Sequence, residues 1–261
     1  MARQDPDEQR YCENAGRRDG IRQVHQPKYA PTEEEEQKGI FGLLNLRIFE
    51  FSGENWYVDV SMKKLGILLS GRGSNFLAIA DNIAAGKLQA EIAIVISNKT
   101  DAGGIEIARQ RGLNAVVIPS KGVAREEHDR KMGEALELAG VDFVVLAGYM
   151  RLLSASFIQR FPQRIVNIHP SLLPAFPGLD AQKQAFDYGV KWAGCTVHFV
   201  DEQLDHGAII VQRAIPVLAS DDEHSLAARI LDQEHIAYSE ALGILCSGNW
   251  KIDGRRVVSI R

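Results

Sequence analysis

An α/β fold on an open, doubly wound and mostly parallel sheet is what this chain of 261 residues predicts from Met62 onward. Three observations carry that expectation. Apolar runs without alternation recur at 65–69, 92–96, 115–118 and 143–147, the pattern of strands covered on both faces. Segments with helical spacing lie between them at 75–85, 105–111 and 125–139. Each has a glycine just beyond it, Gly86, Gly112 and Gly140, where a helix can close in the left-handed region. The alternation of strand and helix implies right-handed crossovers and a parallel sheet.

Further along, the short apolar run 164–168 reads as another strand ended by Pro170. A helix is expected near 181–188, strands near 194–200 and 208–216, and a long final helix at about 223–247. The first 61 residues are different in kind. They hold 8 Lys and Arg against 12 Asp and Glu, a net of −4 that equals the formal charge of the whole chain, and include the run Glu33-Glu34-Glu35-Glu36. Apolar residues cluster there only at 40–51 and 56–60, with no sustained amphipathic repeat. This composition predicts a mostly disordered extension with a short strand or helix at 43–51. Met62 is then expected to be the natural start, leaving residues 62–261 as one domain of ordinary length.

Composition narrows the function. Hydrophobic residues make up 45% and charged residues 25%, the balance of soluble globular proteins. A net charge of −4 and a pI near 6.0 give no global basic field, so no nucleic-acid partner is expected. Cys12, Cys195 and Cys246 are far apart and form no Cys-x-x-Cys pair, which fits a reducing cytoplasm and implies no metal. No apolar run approaches the roughly 20 residues that span a bilayer, so no membrane association is expected. Partners are expected to be small molecules, and the chain a monomer or a homodimer.

The chemistry is concentrated in a few loops. In Ile165-Val166-Asn167-Ile168-His169-Pro170, the period of two sends Asn167 and His169 to one face of a strand end. A carboxamide can donate to a developing oxyanion, and an imidazole beside it can move a proton. The first strand runs into Ser70-Gly71-Arg72-Gly73-Ser74-Asn75, a glycine turn at a helix start where free N–H groups can receive an anion. This loop lacks the Gly-Lys-Ser/Thr ending of a Walker loop and the third glycine of the dinucleotide fingerprint. Strand carboxyl ends are where doubly wound folds bind ligands. Two more segments are expected on that rim: Gly148-Tyr149-Met150-Arg151-Leu152-Leu153, and the acidic loop from Asp201 to Gly207. In the second, Asp205 could return a carboxylate to orient an imidazole.

Taken jointly and in order, Gly-Arg-Gly-Ser-Asn, Gly-Tyr-Met-Arg-Leu-Leu, Asn-Ile-His-Pro-Ser-Leu-Leu-Pro and Asp-Glu-Gln-Leu-Asp-His-Gly resemble the phosphoribosylglycinamide formyltransferase family over about 63–258. The resemblance implies a Rossmann-like formyltransferase fold. It also implies transfer of formyl from the cosubstrate 10-formyltetrahydrofolate to the amine of glycinamide ribonucleotide, a step of purine synthesis. By position, Asn167, His169 and Asp205 match the family's catalytic trio. Asn167 would bind the tetrahedral oxyanion and His169, protonated, would share that charge and shuttle the proton. Asp205 would favour the charged imidazole and position an ordered water. Gly73, Ser74 and Asn75 match the ribonucleotide-phosphate loop, and Glu234 a carboxylate that contacts the ribonucleotide. Arg125 matches a folate-contacting arginine. Met150, Arg151, Leu152 and Leu153 match a wall of the pterin pocket, with Asn167 and with Asp201, Glu202, Gln203 and Leu204. Judged from the residues alone, Arg125 and Glu234 read as solvated helix charges.

Other readings stay open at this stage. Formyltetrahydrofolate deformylase shares the Asn-x-His and Asp chemistry with water as acceptor, but usually carries a small regulatory domain in front, whose pattern the extension lacks. Methionyl-tRNA formyltransferase would want a further domain and a basic face. A non-catalytic folate- or nucleotide-binding module would need only the pocket.

Overall fold

The computed structural model describes residues 46–51, 55–60 and 62–260. The expected disorder and the proposed start at Met62 therefore concern a stretch lying largely outside the described residues. Within it, β1 (Leu46–Phe51) and β2 (Asn55–Val60) pair antiparallel as a two-stranded sheet of their own. β1 falls inside the segment expected to be strand or helix, whereas β2 was visible in the sequence only as an apolar cluster. Their register runs from Leu46 opposite Val60 to Phe51 opposite Asn55.

The remainder is built on nine strands. β3 (Lys63–Leu69), β4 (Ala90–Ser97), β5 (Ala115–Val117), β6 (Phe143–Leu146) and β7 (Ile165–His169) are joined through helices and pair in parallel in the order β7-β6-β3-β4-β5. The connecting helices are α1 (Ser74–Ala84), α2 (Gly103–Gln110), α3 (Arg125–Leu138) and α4 (Ala155–Arg160). α4 has six residues and too little periodicity to be read in the sequence. Ser154 starts it, accepting from the N–H of Phe157.

After β7 the sheet changes direction. Past α5 (Ala181–Tyr188), β8 (Trp192–Phe199) pairs antiparallel to β7, and β9 (Ile209–Pro216) antiparallel to β8. Long α6 (Glu223–Ser247) follows, held by a capping box between Asp222 and Ser225 and closed by Gly248 at φ 72°. β10 (Trp250–Asp253) and β11 (Arg256–Ser259) form a hairpin whose second strand touches β9 in parallel at Arg256 and Ile209. That hairpin was not anticipated. The sheet is mostly parallel, as expected, with its antiparallel pairings confined to the half beyond β7.

Two apolar layers fix which face does what. Ile67, Leu69, Val145, Val166, Ile168, Val197 and Phe199 pack with Phe76 and Ile79 of α1 and with Leu226, Ile230, Ala237 and Tyr238 of α6. On the opposite face Leu68, Ile96, Val144, Leu146 and Ile165 pack with Met132 and Leu136 of α3 and Phe157 of α4. A fully buried leucine or isoleucine contributes about 1.5–3 kcal/mol, so these layers define the sheet's register. By the period of two, Asn167 and His169 share the α3/α4 face with Ile165. Directly opposed residues of an antiparallel pair point the same way, so Thr196 and His198 join them.

Candidate active site

The cluster on that face is largely closed to solvent, with Asn167 half-buried at its edge. His169 is 5% exposed and His198 2%, and the Asp205 side chain is 8% exposed. His198 donates from Nδ1 to its neighbour's carbonyl, Phe199 O, at 2.8 Å. Burial pushes this imidazole below its ordinary pKa, against the opposing effects of that carbonyl and of Asp205. The ring is therefore neutral with a bare Nε2, which accepts from the Asn167 amide at 3.2 Å. That bond fixes which end of the Asn167 side chain carries nitrogen and leaves its second N–H free.

Asp205 comes from a loop the sequence placed on the wrong basis. Because β8 is antiparallel, its end at Phe199 lies opposite Val166 and not at the common rim of strand ends. The loop instead doubles back. Asp205 takes φ +50°, a conformation aspartate tolerates better than most residues, and its carboxylate reaches over the sheet face. Oδ2 accepts from the Gly178 N–H at 2.8 Å and lies 3.4 Å from His169 Nδ1. Oδ1 lies 3.8 Å from His198 Nε2, but the bare nitrogen offers no proton, so His169 is the imidazole that answers this charge. On its other side, His169 Nε2 donates to the carbonyl of Phe176 at 2.8 Å. Both ring nitrogens of His169 therefore face oxygens, the Asp205 carboxylate beside Nδ1 and the Phe176 carbonyl on Nε2.

Because the neutral form of His198 is the buried one, its linkage sign is fixed. Its contribution to stability is complete above the unfolded value near 6.5 and is lost as pH falls toward the lower folded value. A His198→Asn variant, whose amide nitrogen stands where the Nδ1 donor does, should lose less stability between pH 7.5 and 5.5 than the parent. Parallel urea melts would show it. Equal losses would place the acid sensitivity elsewhere.

Gly73 caps α1 at φ 78° without a side-chain cap, so the first amides of the helix, beginning at Ser74 and Asn75, point outward. A Cβ at Gly73 would lie 3.0 Å from the Cα of Gly104, and the Gly104 N–H donates to Gly71 O at 3.1 Å. The glycines thus seat the loop against the start of α2. Asn75 is buried and donates to Glu234 Oε2 at 2.8 Å, while its own Oδ1 is buried without a partner. Glu234 is 6% exposed, which overturns the reading of it as a solvated helix charge. Burial raises its pKa, partly offset by the Asn75 bond.

A raised carboxyl pKa stabilises the fold fully below the unfolded value and less as pH rises through the folded one. Glu234→Gln keeps the Asn75 bond without a buried charge. We therefore expect its Tm at pH 7.5 to exceed the parent's, and the gain to vanish near pH 4. A lower Tm at pH 7.5 would contradict this.

The remaining sequence candidates are placed as follows. Arg125 is exposed on the first turn of α3. Met150 is 72% exposed and Leu152 59%, whereas Leu153 packs on the α3/α4 layer. Arg151 donates to Ser120 O and Val123 O at 3.0 and 3.1 Å. Asp201 holds His206 Nδ1 at 2.9 Å and the Gln203 N–H at 2.9 Å, and Glu202 accepts from Gln159 at 2.9 Å. Leu204 is 60% exposed and faces Gly178. His198 was missed as a site residue. Its signal was present: Thr196 and His198 are the two polar residues, two apart, in an apolar strand, the same pattern that singled out Asn167 and His169.

Residues 63–242 match the family model described as formyl transferase. The chain is 40% identical over 199 residues to the phosphoribosylglycinamide formyltransferase of Escherichia coli, covering 73% of this chain and 94% of that one. The chain belongs to the phosphoribosylglycinamide formyltransferase family. It is also 49% identical over 189 residues to the trifunctional purine biosynthetic protein adenosine-3 of Drosophila melanogaster, spanning 71% of this chain but only 14% of that protein. Glycinamide ribonucleotide transformylase 1 from Symbiobacterium toebii has the same fold, with a TM-score of 0.76 and 47% identity over 81% of this chain and all of that one. The family is a one-carbon transferase family. Among the described residues no group of three or more His, Cys, Asp or Glu could hold a metal ion, and no helix is long and apolar enough to cross a membrane.

Proposed function

We propose that this chain transfers the formyl group of 10-formyltetrahydrofolate to the amine of glycinamide ribonucleotide, releasing tetrahydrofolate. The observation that carries it is the convergence of Asn167, His169 and Asp205 on one sheet face in a member of this family, with Asn167 bonded to His198, and with Asp205 lying 3.4 Å from His169 and 3.8 Å from His198. The neutral amine attacks the formyl carbon, and the carbonyl oxygen becomes an oxyanion in the tetrahedral intermediate. The free N–H of Asn167 and the His169 imidazolium stabilise that charge. His169 then helps carry the proton from the attacking nitrogen to the folate nitrogen as the carbon–nitrogen bond to folate breaks, with Asp205 holding the ring. In this reading Gly73, Ser74 and Asn75 receive the phosphate and Glu234 the ribonucleotide hydroxyls. Arg125, Met150 to Leu153, and Asp201 to Leu204 border the folate. The Glu234→Gln variant should then raise KM for the ribonucleotide while leaving KM for the folate unchanged.

The test is formyl transfer by the purified full chain with both substrates, beside a reaction lacking the ribonucleotide. Acceptor-dependent loss of formyl, abolished by Asp205→Asn, is expected. Formate release without acceptor would instead make the protein a deformylase, and folate binding without turnover a binding module.

A further inference from the structure

We propose that Asn98 is a positioning residue that ties the anion loop after β3 to the 148–153 segment, so that one buried amide holds both substrate walls; this rests on the function proposed above. β4 lies beside β3 with Ser97 opposite Leu69, which brings Asn98 next to Ser70 at the carboxyl edge of the sheet. Asn98 is 8% exposed and Ser70 4%.

The bonds form a closed circuit. The Ser70 hydroxyl donates to Asn98 Oδ1 at 2.6 Å and accepts from the Met150 N–H at 2.9 Å. The Ser70 N–H donates to Gly148 O at 3.1 Å. On the other side Asn98 Nδ2 donates to Ser120 Oγ at 3.0 Å, and Asn98 O accepts from the Ser120 N–H at 3.1 Å. Arg151 closes the ring by donating to Ser120 O at 3.0 Å. The backbone just before the Gly71 to Asn75 turn, the loop around Ser120, and the Met150–Arg151 segment therefore share one junction. An amide suits it because one planar group presents an acceptor to Ser70 and a donor to Ser120. A leucine there would strand both hydroxyls, and an aspartate would bury a charge. The circuit touches neither Asn167, His169 nor Asp205, so it sets where the substrates lie and not how the proton moves.

Two measurements on the full chain decide it. In Asn98→Ala, which removes one bond to Ser70 and one to Ser120, KM for the ribonucleotide and KM for the formyl donor should each rise about tenfold, the factor typical of a lost buried hydrogen bond on each side, with kcat within about threefold. Amide hydrogen exchange should speed up together in 70–76, 118–123 and 148–153, relative to α6. This second readout needs no catalysis, so it judges the junction even if the formyl-transfer reading fails. Adding Ser70→Ala to Asn98→Ala should cost little more than the worse single change. If Asn98→Ala does not fold, Ser120→Ala should still raise both KM values together, by about two- to threefold. A rise in one KM alone, a fall in kcat at unchanged KM, or faster exchange confined to the residues flanking position 98 would overturn the proposal.

Discussion

Asn167→Ala is expected to lower kcat by about two to three powers of ten while leaving both KM values within about threefold, because the amide meets the oxygen only once charge develops on it. The surroundings make the assignment sharp. One N–H of Asn167 is committed to the bare Nε2 of His198, so the amide cannot turn to offer its oxygen instead. Alanine would remove the oxyanion donor and also leave His198 without its partner. His198→Asn separates the two losses, since it removes the Nε2 partner and spares the donor. Steady-state kinetics with both substrates varied would check this. A kcat within about tenfold of the parent would take Asn167 out of the reaction.

Gly207→Ala is expected to be nearly as damaging from two positions beyond Asp205. A Cβ there would stand 1.9 Å from the carbonyl oxygen of Phe199 and 2.7 Å from its carbon, both backbone atoms that no rotamer change can move away. The loop must shift, and with it the carboxylate that faces His169. Overpacking of this kind costs about 1–3 kcal/mol. At about 2–4 °C per kcal/mol for a domain of this size, Tm should fall by several degrees. The formyl-transfer kcat/KM should fall at least about a hundredfold as Asp205 leaves its place. Thermal melts and kinetics on the same preparation test both, and a variant that matches the parent in each would show that the loop tolerates the extra carbon.

How far the sequence reached depends on whether the deciding force was local. Both ends of α6 were legible because capping chemistry sits in adjacent residues, Asp222 with Ser225 at the start and Gly248 at the end. The parallel half of the sheet was legible because continuous apolar strands need helices on both faces. The direction of β8 was not, since pairing partners far apart in the chain decide it, and the rim position assigned to the 201–207 loop failed for that reason. Glu234 was opaque for a related cause. Its burial depends on Asn75, 159 residues away. Asn167 and His169 could be paired from the period of two along β7, whereas the roles expected of them and of Asp205 came from the family resemblance. The carbonyl that holds His169 was not, because a backbone oxygen has no letter of its own.

That carbonyl belongs to Phe176, which sits at φ +52°. A phenylalanine in the left-handed region costs about 1–2 kcal/mol that its loop must supply. In the proposed reaction, delivery of a proton from His169 Nε2 to a substrate would require the imidazole to exchange this carbonyl for the substrate's own acceptor, so the Phe176 peptide occupies the place a substrate atom would take.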